Sequence, residues 1–259
     1  GETADTLEAL RIAKKCGAKV IAITNTVGSS VSREADRVIY TWAGPEIAVA
    51  STKAYTTQLM CLYLLAIKMG EVRGTIAKDD YLRLLKQLEE IPEKAKRIVE
   101  NQPVIQKFAS EQFNKAKIFY IGRLFDSASS MECALKLKEV SYMHSEAFAA
   151  GELKHGPIAL VDNSTLVVAL ATEPALYEKI ASNILEVKAR GAATLVITQD
   201  CSGAFKNCAD TTIQIPECEN DLASIISVIP AQLFAYYCAV QKGLNPDMPR
   251  NLAKSVTVE

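Results

Sequence analysis

The stretch GAATLVIT, residues 191 to 198, repeats the stretch GAKVIAIT, residues 17 to 24, and this pair decides the predicted fold. In each copy a helical pattern ends at the glycine, a β-branched strand follows, and a second strand comes next. The same offset of 174 positions lays Ala35-Asp36 on Ala209-Asp210 without a gap. Helix-Gly-Ala-strand is common in α/β proteins, but a constant offset argues against chance. Strands that alternate with helices predict parallel sheets covered on both faces.

The second copy has further predicted elements ahead of its repeat: a strand at 118–121, a helix near 127–142 and a strand at 165–170. Their counterparts in the first copy would precede residue 1. We therefore expect a fragment of a longer protein, with an α/β fold of two duplicated three-layer αβα units, the first incomplete. The predicted segments are a first domain at 1–75, a helical connector at 76–107, a second domain at 108–244 and an irregular tail at 245–259.

Three further helices are predicted around these units. They run from about Thr52 to Met69, from Lys78 to Glu100, and from Asp221 to Lys242. Proline removes a backbone donor and disturbs a helix interior. We therefore expect Pro92 to interrupt the second of these helices and Pro230 to kink the third.

The composition excludes several classes of function. With 29 basic and 30 acidic residues, the net charge of −1 does not favour nucleic acid or an anionic membrane surface as a partner. The seven cysteines show neither a C-x-x-C nor a His-flanked spacing, so we interpret them as reduced and structural, with no metal site. No apolar run approaches 18 residues and no signal segment is visible, so we predict a cytoplasmic protein.

Residues 134 to 157, ALKLKEVSYMHSEAFAAGELKHGP, carry the strongest chemical signal. On a helix, Lys136 and Glu139 share a face with Glu132, so acid, base and cation could converge. The alternative is a solvated helix flank with ordinary charge pairs. His155 sits before Gly156-Pro157, where imidazole is exposed and suits proton transfer, although it could simply hydrogen-bond within its turn.

Other candidates have ordinary explanations from residue chemistry alone. Thr3 stands at a helix start, where a hydroxyl can bind phosphate or merely cap the helix. Ser51 can equally be a cap, and Lys254 could be a solvated tail lysine. Gly122-Arg123 with the serines that follow has the layout of a second anion-binding loop, which we interpret as vestigial.

Four motifs resemble one known family, glucosamine-6-phosphate synthase. They are ALKLKE at 134–139, SEAFAAGELKHGP at 145–157, EIAVASTKAYTTQL at 46–59 and PRNLAKSVTVE at 249–259. The resemblance covers essentially the whole chain and implies an isomerase half made of two SIS (sugar isomerase) domains. It implies conversion of fructose 6-phosphate and glutamine-derived ammonia to glucosamine 6-phosphate, without metal or organic cofactor. A separate N-terminal glutaminase domain would supply the ammonia, and nothing in this chain matches it.

The resemblance also implies the role of each site residue. Glu139 would be the base that moves a proton between sugar carbons, and Lys136 would steady the developing charge. His155 would open the sugar ring in the partner subunit's site, which implies a homodimer. Lys254 would form a Schiff base with fructose 6-phosphate, with the tail folded over the site. The substrate-binding residues would be Thr3 for phosphate, and Val49, Ser51 and Ala253 for the sugar.

Two other functions stay open. SIS domains also serve as regulatory phosphosugar binders without turnover, which would not need Glu139, His155 and Lys254 together. A different SIS enzyme, such as a deglycase acting on amino-sugar adducts, would be expected to diverge in the terminal motif.

Overall fold

The computed structural model describes residues 1 to 257, and the chain divides into two compact units. Unit 1 is Gly1–Leu82 together with the chain from Asp247 onward, and unit 2 is Arg83–Pro246. The boundary between Leu82 and Arg83 falls inside the predicted connector. The last two residues of the predicted tail, Val258 and Glu259, lie outside the described residues.

Unit 1 holds a two-stranded parallel sheet and three complete helices. The elements in chain order are α1 Ala4–Lys15, β1 Ile21–Thr24, α2 Ser30–Glu34, β2 Arg37–Tyr40 and α3 Lys53–Arg73. Strand β1 pairs with β2 so that Ile21 lies opposite Arg37. Gly17, with φ of 80°, follows the end of α1, where a left-handed turn favours glycine.

Unit 2 is built on five parallel strands in the order β4-β3-β5-β6-β7. Helix α4 Lys78–Glu100 crosses the boundary into unit 2. The elements that follow it are α5 Gln102–Gln112, β3 Lys117–Gly122, α6 Phe125–Ser141, β4 Ser145–Ala149, β5 Thr165–Ala171, α7 Tyr177–Lys188, β6 Ala193–Thr198, β7 Thr211–Gln214 and α8 Ala223–Gln241, with 3-10 helices at Ala150–His155, Pro157–Leu160, Pro174–Leu176 and Asn220–Leu222. The predicted α/β fold with parallel sheets is confirmed.

The sheet of unit 2 is buried on both faces, as a parallel sheet requires. Every residue of β5 is buried, and alternate side chains point to opposite faces. Val167 and Ala169 pack in one apolar cluster with Ile180 and Ile184 of α7. Helix α6 contacts β3, β4 and β5, and α8 contacts α5, α6 and β6. Helices therefore cover both faces of the sheet, in three layers.

One carboxylate clamp recurs in the two units and confirms the duplication. In unit 2, Asp210 accepts hydrogen bonds from the backbone N–H and the hydroxyl of Thr194, both at 2.9 Å, and pairs with Lys188 at 2.7 Å. In unit 1, Asp36 accepts from the N–H of Val20 at 2.9 Å and pairs with Lys14 at 3.6 Å. Each member of one clamp matches its counterpart at the same offset, so the repeat extends to side-chain contacts.

Several local predictions need correction. Strand β4, with sequence SEAFA, was not predicted, because alanine and glutamate are not typical strand residues. Neither α2 nor α5 was predicted. Helix α4 is not interrupted at Pro92 but runs through it. Pro92 lies on the exposed side while Leu88 and Ile91 are buried, so packing of the other face supports the helix across the missing N–H.

The prediction that no apolar run reaches the length of a membrane span was wrong for one segment. The segment Asn220–Gln241 has 22 residues and contains an 18-residue stretch with a mean hydropathy of 1.6, so it is long and apolar enough to cross a membrane. However, 67% of its most apolar window is buried inside the protein. Its central residues, such as Ile226 and Ala235, are almost fully buried, so this apolar character is that of a core helix.

Candidate functional site

A cavity of about 540 Å³ lies in unit 1 at the carboxyl end of β1. Its wall is formed by the start of α1, the segment before α3, the first turns of α3 and the C-terminal tail. The polar side chains in that wall include Thr3, Thr24, Glu46, Ser51, Gln58 and Lys254. Ligands of α/β proteins characteristically bind beyond the carboxyl ends of parallel strands.

Thr3 occupies the N-cap position of α1, as the sequence predicted. Its backbone is extended, with φ of −67° and ψ of 122°, yet its side chain makes no capping hydrogen bond. The hydroxyl therefore remains available to the cavity, beside backbone N–H groups that favour an anion. The next residue, Ala4, donates its N–H to the carbonyl oxygen of Val256 at 3.1 Å, so the tail crosses the start of this helix.

Lys254 lies in the same cavity wall and is held there by two acceptors. Its Nζ donates to the carbonyl oxygen of Ala48 at 2.7 Å and lies 3.4 Å from Oε2 of Glu46. The side chain of Glu46 is only 8% exposed, whereas that of Lys254 is 43% exposed. The predicted Schiff-base amine is thus neither free nor fully solvated, but paired and still accessible.

Glu46 was missed as a functional candidate, although its motif was recognised. Its Oε1 accepts hydrogen bonds from the N–H of Thr52 at 2.7 Å and from the Thr52 hydroxyl at 3.0 Å. Burial would raise the pKa of this carboxyl, but the Thr52 bonds and the charge of Lys254 outweigh burial and lower it. The surroundings of Glu46 therefore favour its charged, carboxylate form. The one sequence signal for it was an acidic residue shortly before a helix start.

Of the other predicted substrate-binding residues, Ser51 lines the cavity beside the start of α3. Val49 is half-buried and donates its N–H to the carbonyl oxygen of Asp247 at 3.0 Å, which ties the tail to this segment. Ala253 is exposed. Neither Val49 nor Ala253 belongs to the cavity wall as the described residues form it, so their contact with a sugar stays a prediction.

Lys136, Glu139 and Glu132 form a charged cluster on α6 in unit 2. Nζ of Lys136 lies 2.7 Å from Oε2 of Glu139 and 3.5 Å from Oε1 of Glu132. The side chain of Lys136 is 5% exposed, so the alternative of a solvated helix flank does not hold for it. Burial raises the pKa of Glu132; Lys136 opposes this shift and the charge of Glu139 adds to it. The sequence placed these three side chains together correctly.

His155 is the last residue of the 3-10 helix Ala150–His155, and its side chain is exposed. Within the described residues its imidazole has no hydrogen-bond partner, so the alternative of a bond within its own turn is not observed. Leu153 anchors the helix in the core of unit 2 with no exposed surface. Gly156, with φ of 155°, lets the chain turn directly into the next 3-10 helix. His144 instead lies 2.8 Å from a carboxylate oxygen of Glu146.

In the second anion-binding loop that the sequence suggested, several polar groups are bonded to other protein groups. At the start of α6, the carboxylate of Asp126 accepts hydrogen bonds from the N–H and the hydroxyl of Thr172, both at 2.8 Å. Burial raises the pKa of Asp126 despite these bonds. Ser130 donates to the carbonyl oxygen of Asp126, and Arg123 donates to Asn183. A buried carboxylate thus lies at the start of α6, where it opposes the binding of an anion, which supports the vestigial interpretation.

The described residues contain no cluster of three or more His, Cys, Asp or Glu side chains that could hold a metal ion.

The predicted site residues fall into two sets, one in each unit. Thr3, Ser51 and Lys254 share the cavity wall of unit 1. Val49 and Ala253 lie in unit 1 but outside that wall. The remaining three lie in unit 2: Lys136, Glu139 and His155.

Comparison with known proteins supplies the family. The model of the SIS domain family matches residues 1–68 and 113–242, one stretch in each unit. The chain belongs to the SIS domain family. The glutamine–fructose-6-phosphate aminotransferase (isomerizing) of Caldanaerobacter subterraneus subsp. tengcongensis, a curated relative, is 55% identical over 259 residues. The protein of the same name from Clostridium tetani is 52% identical over the same length.

A solved structure shows the same similarity to an aminotransferase. The C-terminal domain of glucosamine-fructose-6-phosphate aminotransferase from Francisella tularensis is 34% identical, with a TM-score of 0.91, and the match covers 95% of this chain and 70% of that one. This chain is thus similar to that domain in both sequence and fold over nearly its whole length, which confirms the resemblance seen in the four motifs. The matches with the two curated relatives cover 100% of this chain but only 43% of the length of each relative.

Proposed function

We propose that this chain carries the sugar-isomerising part of glutamine–fructose-6-phosphate aminotransferase, which turns fructose 6-phosphate and ammonia into glucosamine 6-phosphate. The observation that carries the proposal is the position of Lys254. Its amine lies in a cavity wall that also presents the Thr3 hydroxyl at a helix N-terminus and the Ser51 side chain. An amine beside a phosphate-binding helix start suits condensation with the carbonyl of a sugar phosphate.

In this proposal the phosphate binds at the start of α1 and the sugar extends toward Ser51, Val49 and Ala253. Aldose-ketose conversion then moves one proton between neighbouring carbons. Glu139 accepts that proton, and the buried charge of Lys136 stabilises the developing negative charge. His155 opens the sugar ring; its imidazole is exposed and has no hydrogen-bond partner among residues 1 to 257, which supports this role. The chemistry requires neither a metal nor an organic cofactor.

The proposed partners follow from the family resemblance of the four motifs. An N-terminal glutaminase domain supplies ammonia, and two copies of the chain form a homodimer in which His155 acts in the partner subunit's site. No nucleic acid or membrane partner is proposed. The seven cysteines are free thiols, five of them buried, which supports a reducing location such as the cytoplasm.

Reductive trapping tests the proposed reaction. The full-length protein is incubated with fructose 6-phosphate and cyanoborohydride, digested, and analysed by mass spectrometry. We expect a hexose phosphate adduct on Lys254 and its loss in Lys254→Ala. An adduct on another lysine, or no adduct at all, would refute the assignment. A regulatory phosphosugar binder would bind the sugar without forming the adduct, and a deglycase would act on amino-sugar adducts instead.

Mixed dimers test the sharing of the site between subunits. In a dimer of one Glu139→Gln subunit and one His155→Ala subunit, a shared site leaves one centre with both lesions and one with neither. We therefore expect about half of the normal isomerase activity per heterodimer. A heterodimer as inactive as either parent would show that His155 acts in its own subunit.

A further inference from the structure

We propose that Glu46 is the counterion of the Lys254 nitrogen, both as an ammonium and, after condensation with a sugar carbonyl, as a protonated imine. The inference rests on the proposed function, because it concerns the same amine. It adds a residue whose role neither the motifs nor the relatives specify.

The geometry fixes Glu46 in this position. Oε1 accepts two hydrogen bonds from Thr52, which prevents the carboxylate from rotating away. Oε2 is left to face Nζ of Lys254 at 3.4 Å. The carbonyl oxygen of Ala48 accepts a second bond from the same Nζ at 2.7 Å. The segment from Glu46 to Ala48 therefore holds the amine at two points, and one of them is charged.

Glu46 has no competitor for this role within the cavity. Among the described residues that line it, Glu46 and Lys254 carry the only charged side chains, and the others are polar or apolar. The side chain of Glu46 is 8% exposed, so water screens the pair less than it screens a surface ion pair. A positive charge formed on the Lys254 nitrogen is thus balanced mainly by this carboxylate.

The condensation conserves the charge that Glu46 balances. One proton passes from the ammonium to the carbonyl oxygen, and the freed lone pair of the nitrogen forms a bond to the carbonyl carbon. The carbon–oxygen bond then breaks, and the oxygen leaves as water with a second hydrogen from the nitrogen. The nitrogen keeps its third hydrogen and its positive charge. The carboxylate therefore faces a cation before and after the step and needs no rearrangement, which is the condition for electrostatic preorganisation.

Trapping in the full-length protein with Glu46→Gln tests this inference. Glutamine keeps an oxygen for the Thr52 bonds but removes the charge. We expect the yield of the Lys254 adduct at saturating fructose 6-phosphate to fall about tenfold or more, with little change in sugar affinity measured by calorimetry. Glu46→Asp, which keeps the charge on a shorter side chain, should recover part of the yield. The matched control is Glu34→Gln, since Glu34 is a unit 1 carboxylate paired with Arg11 and lies outside the cavity wall.

The outcomes separate this inference from the proposed function. A wild-type adduct on Lys254 with an undiminished yield in Glu46→Gln would overturn the counterion role and leave the reaction standing. A Glu46→Gln protein that binds sugar more weakly but reaches the normal yield at saturation would show a purely structural role, which also overturns it. Absence of any adduct on Lys254 in the wild-type protein would remove both proposals.

Discussion

Replacing Lys136 by methionine removes the cation between Glu132 and Glu139 and should destabilise unit 2. Methionine has a similar length and fits a buried site, so the lost interaction is mainly electrostatic. Removing one partner of a fully buried ion pair costs about 3 to 5 kcal/mol. Here Glu132 and Glu139 keep 14% and 22% of their side-chain exposure, and water can reach them. We therefore expect about 2 to 4 kcal/mol at neutral pH.

The deficit should depend on pH with a defined sign. Burial raises the pKa of Glu132 in the folded protein, and Lys136 is the group that opposes this shift. Without Lys136 the pKa of Glu132 rises further above its unfolded value. Its charge then costs folding energy at every pH above the raised pKa, and this cost is relieved as the pH falls and Glu132 takes up a proton. The Lys136→Met deficit should thus be smaller at a mildly acidic pH than at neutral pH.

Urea unfolding followed by far-ultraviolet circular dichroism measures the free energy of unfolding at both pH values. Lys136→Met combined with Glu132→Gln should recover part of the stability, because one of the two repelling charges is gone. A Lys136→Met protein as stable as wild type at neutral pH, or a deficit that grows as the pH falls, would refute the interpretation of this cluster as a buried ion triad.

Three further predictions concern single side chains. In Glu139→Gln, solvent deuterium should no longer enter the sugar carbon while ring opening continues, as followed by NMR; unchanged exchange would remove the proposed base. Leu153 has no exposed surface, so Leu153→Ala leaves a cavity beneath the 3-10 helix Ala150–His155. The substitution should cost about 2 to 5 kcal/mol of stability and lower the melting temperature by several degrees. An unchanged melting temperature would contradict that packing. Burial alone would raise the pKa of Asp210, but the bonds from Lys188 and Thr194 outweigh burial, so the net pKa is lowered. Asp210→Asn should therefore cost about 1 kcal/mol of stability at neutral pH. The figure is modest because the Asp210 side chain is 44% exposed. In urea titrations, the difference from wild type should fade as the pH drops through the lowered pKa of Asp210.

Much of the fold could be predicted because its signals are local. The glycine stops, the β-branched strands and the repeated Asp36 and Asp210 are each encoded within a short window of sequence. The cluster of Lys136 and Glu139 was predictable for the same reason, since helix geometry alone brings such spacings together. Strand β4 was not predictable, because its alanines carry no strand preference and its place is set by pairing with β3.

The seating of the tail could not be predicted from residue types. By composition the tail is polar and irregular, yet its backbone joins unit 1 at Val49 and at Ala4. Any residue except proline can make such backbone bonds, so the sequence gives no sign of them. Once the tail is seated, the pairing of Glu46 with Lys254 across 208 positions follows from the contact itself.

The amino-acid sequence by itself determined the duplicated α/β architecture, the charged face of α6 and, through four motifs, the family. Those features depend on periodicity and spacing, which operate over a few residues. Only the tertiary structure decided that Lys254 and Thr3 share one cavity wall, that Glu46 faces the amine, and that the Asp126 carboxylate bonds to Thr172 at the start of α6. Such placements depend on long-range packing, in which each side chain's environment is set by segments far away in the chain.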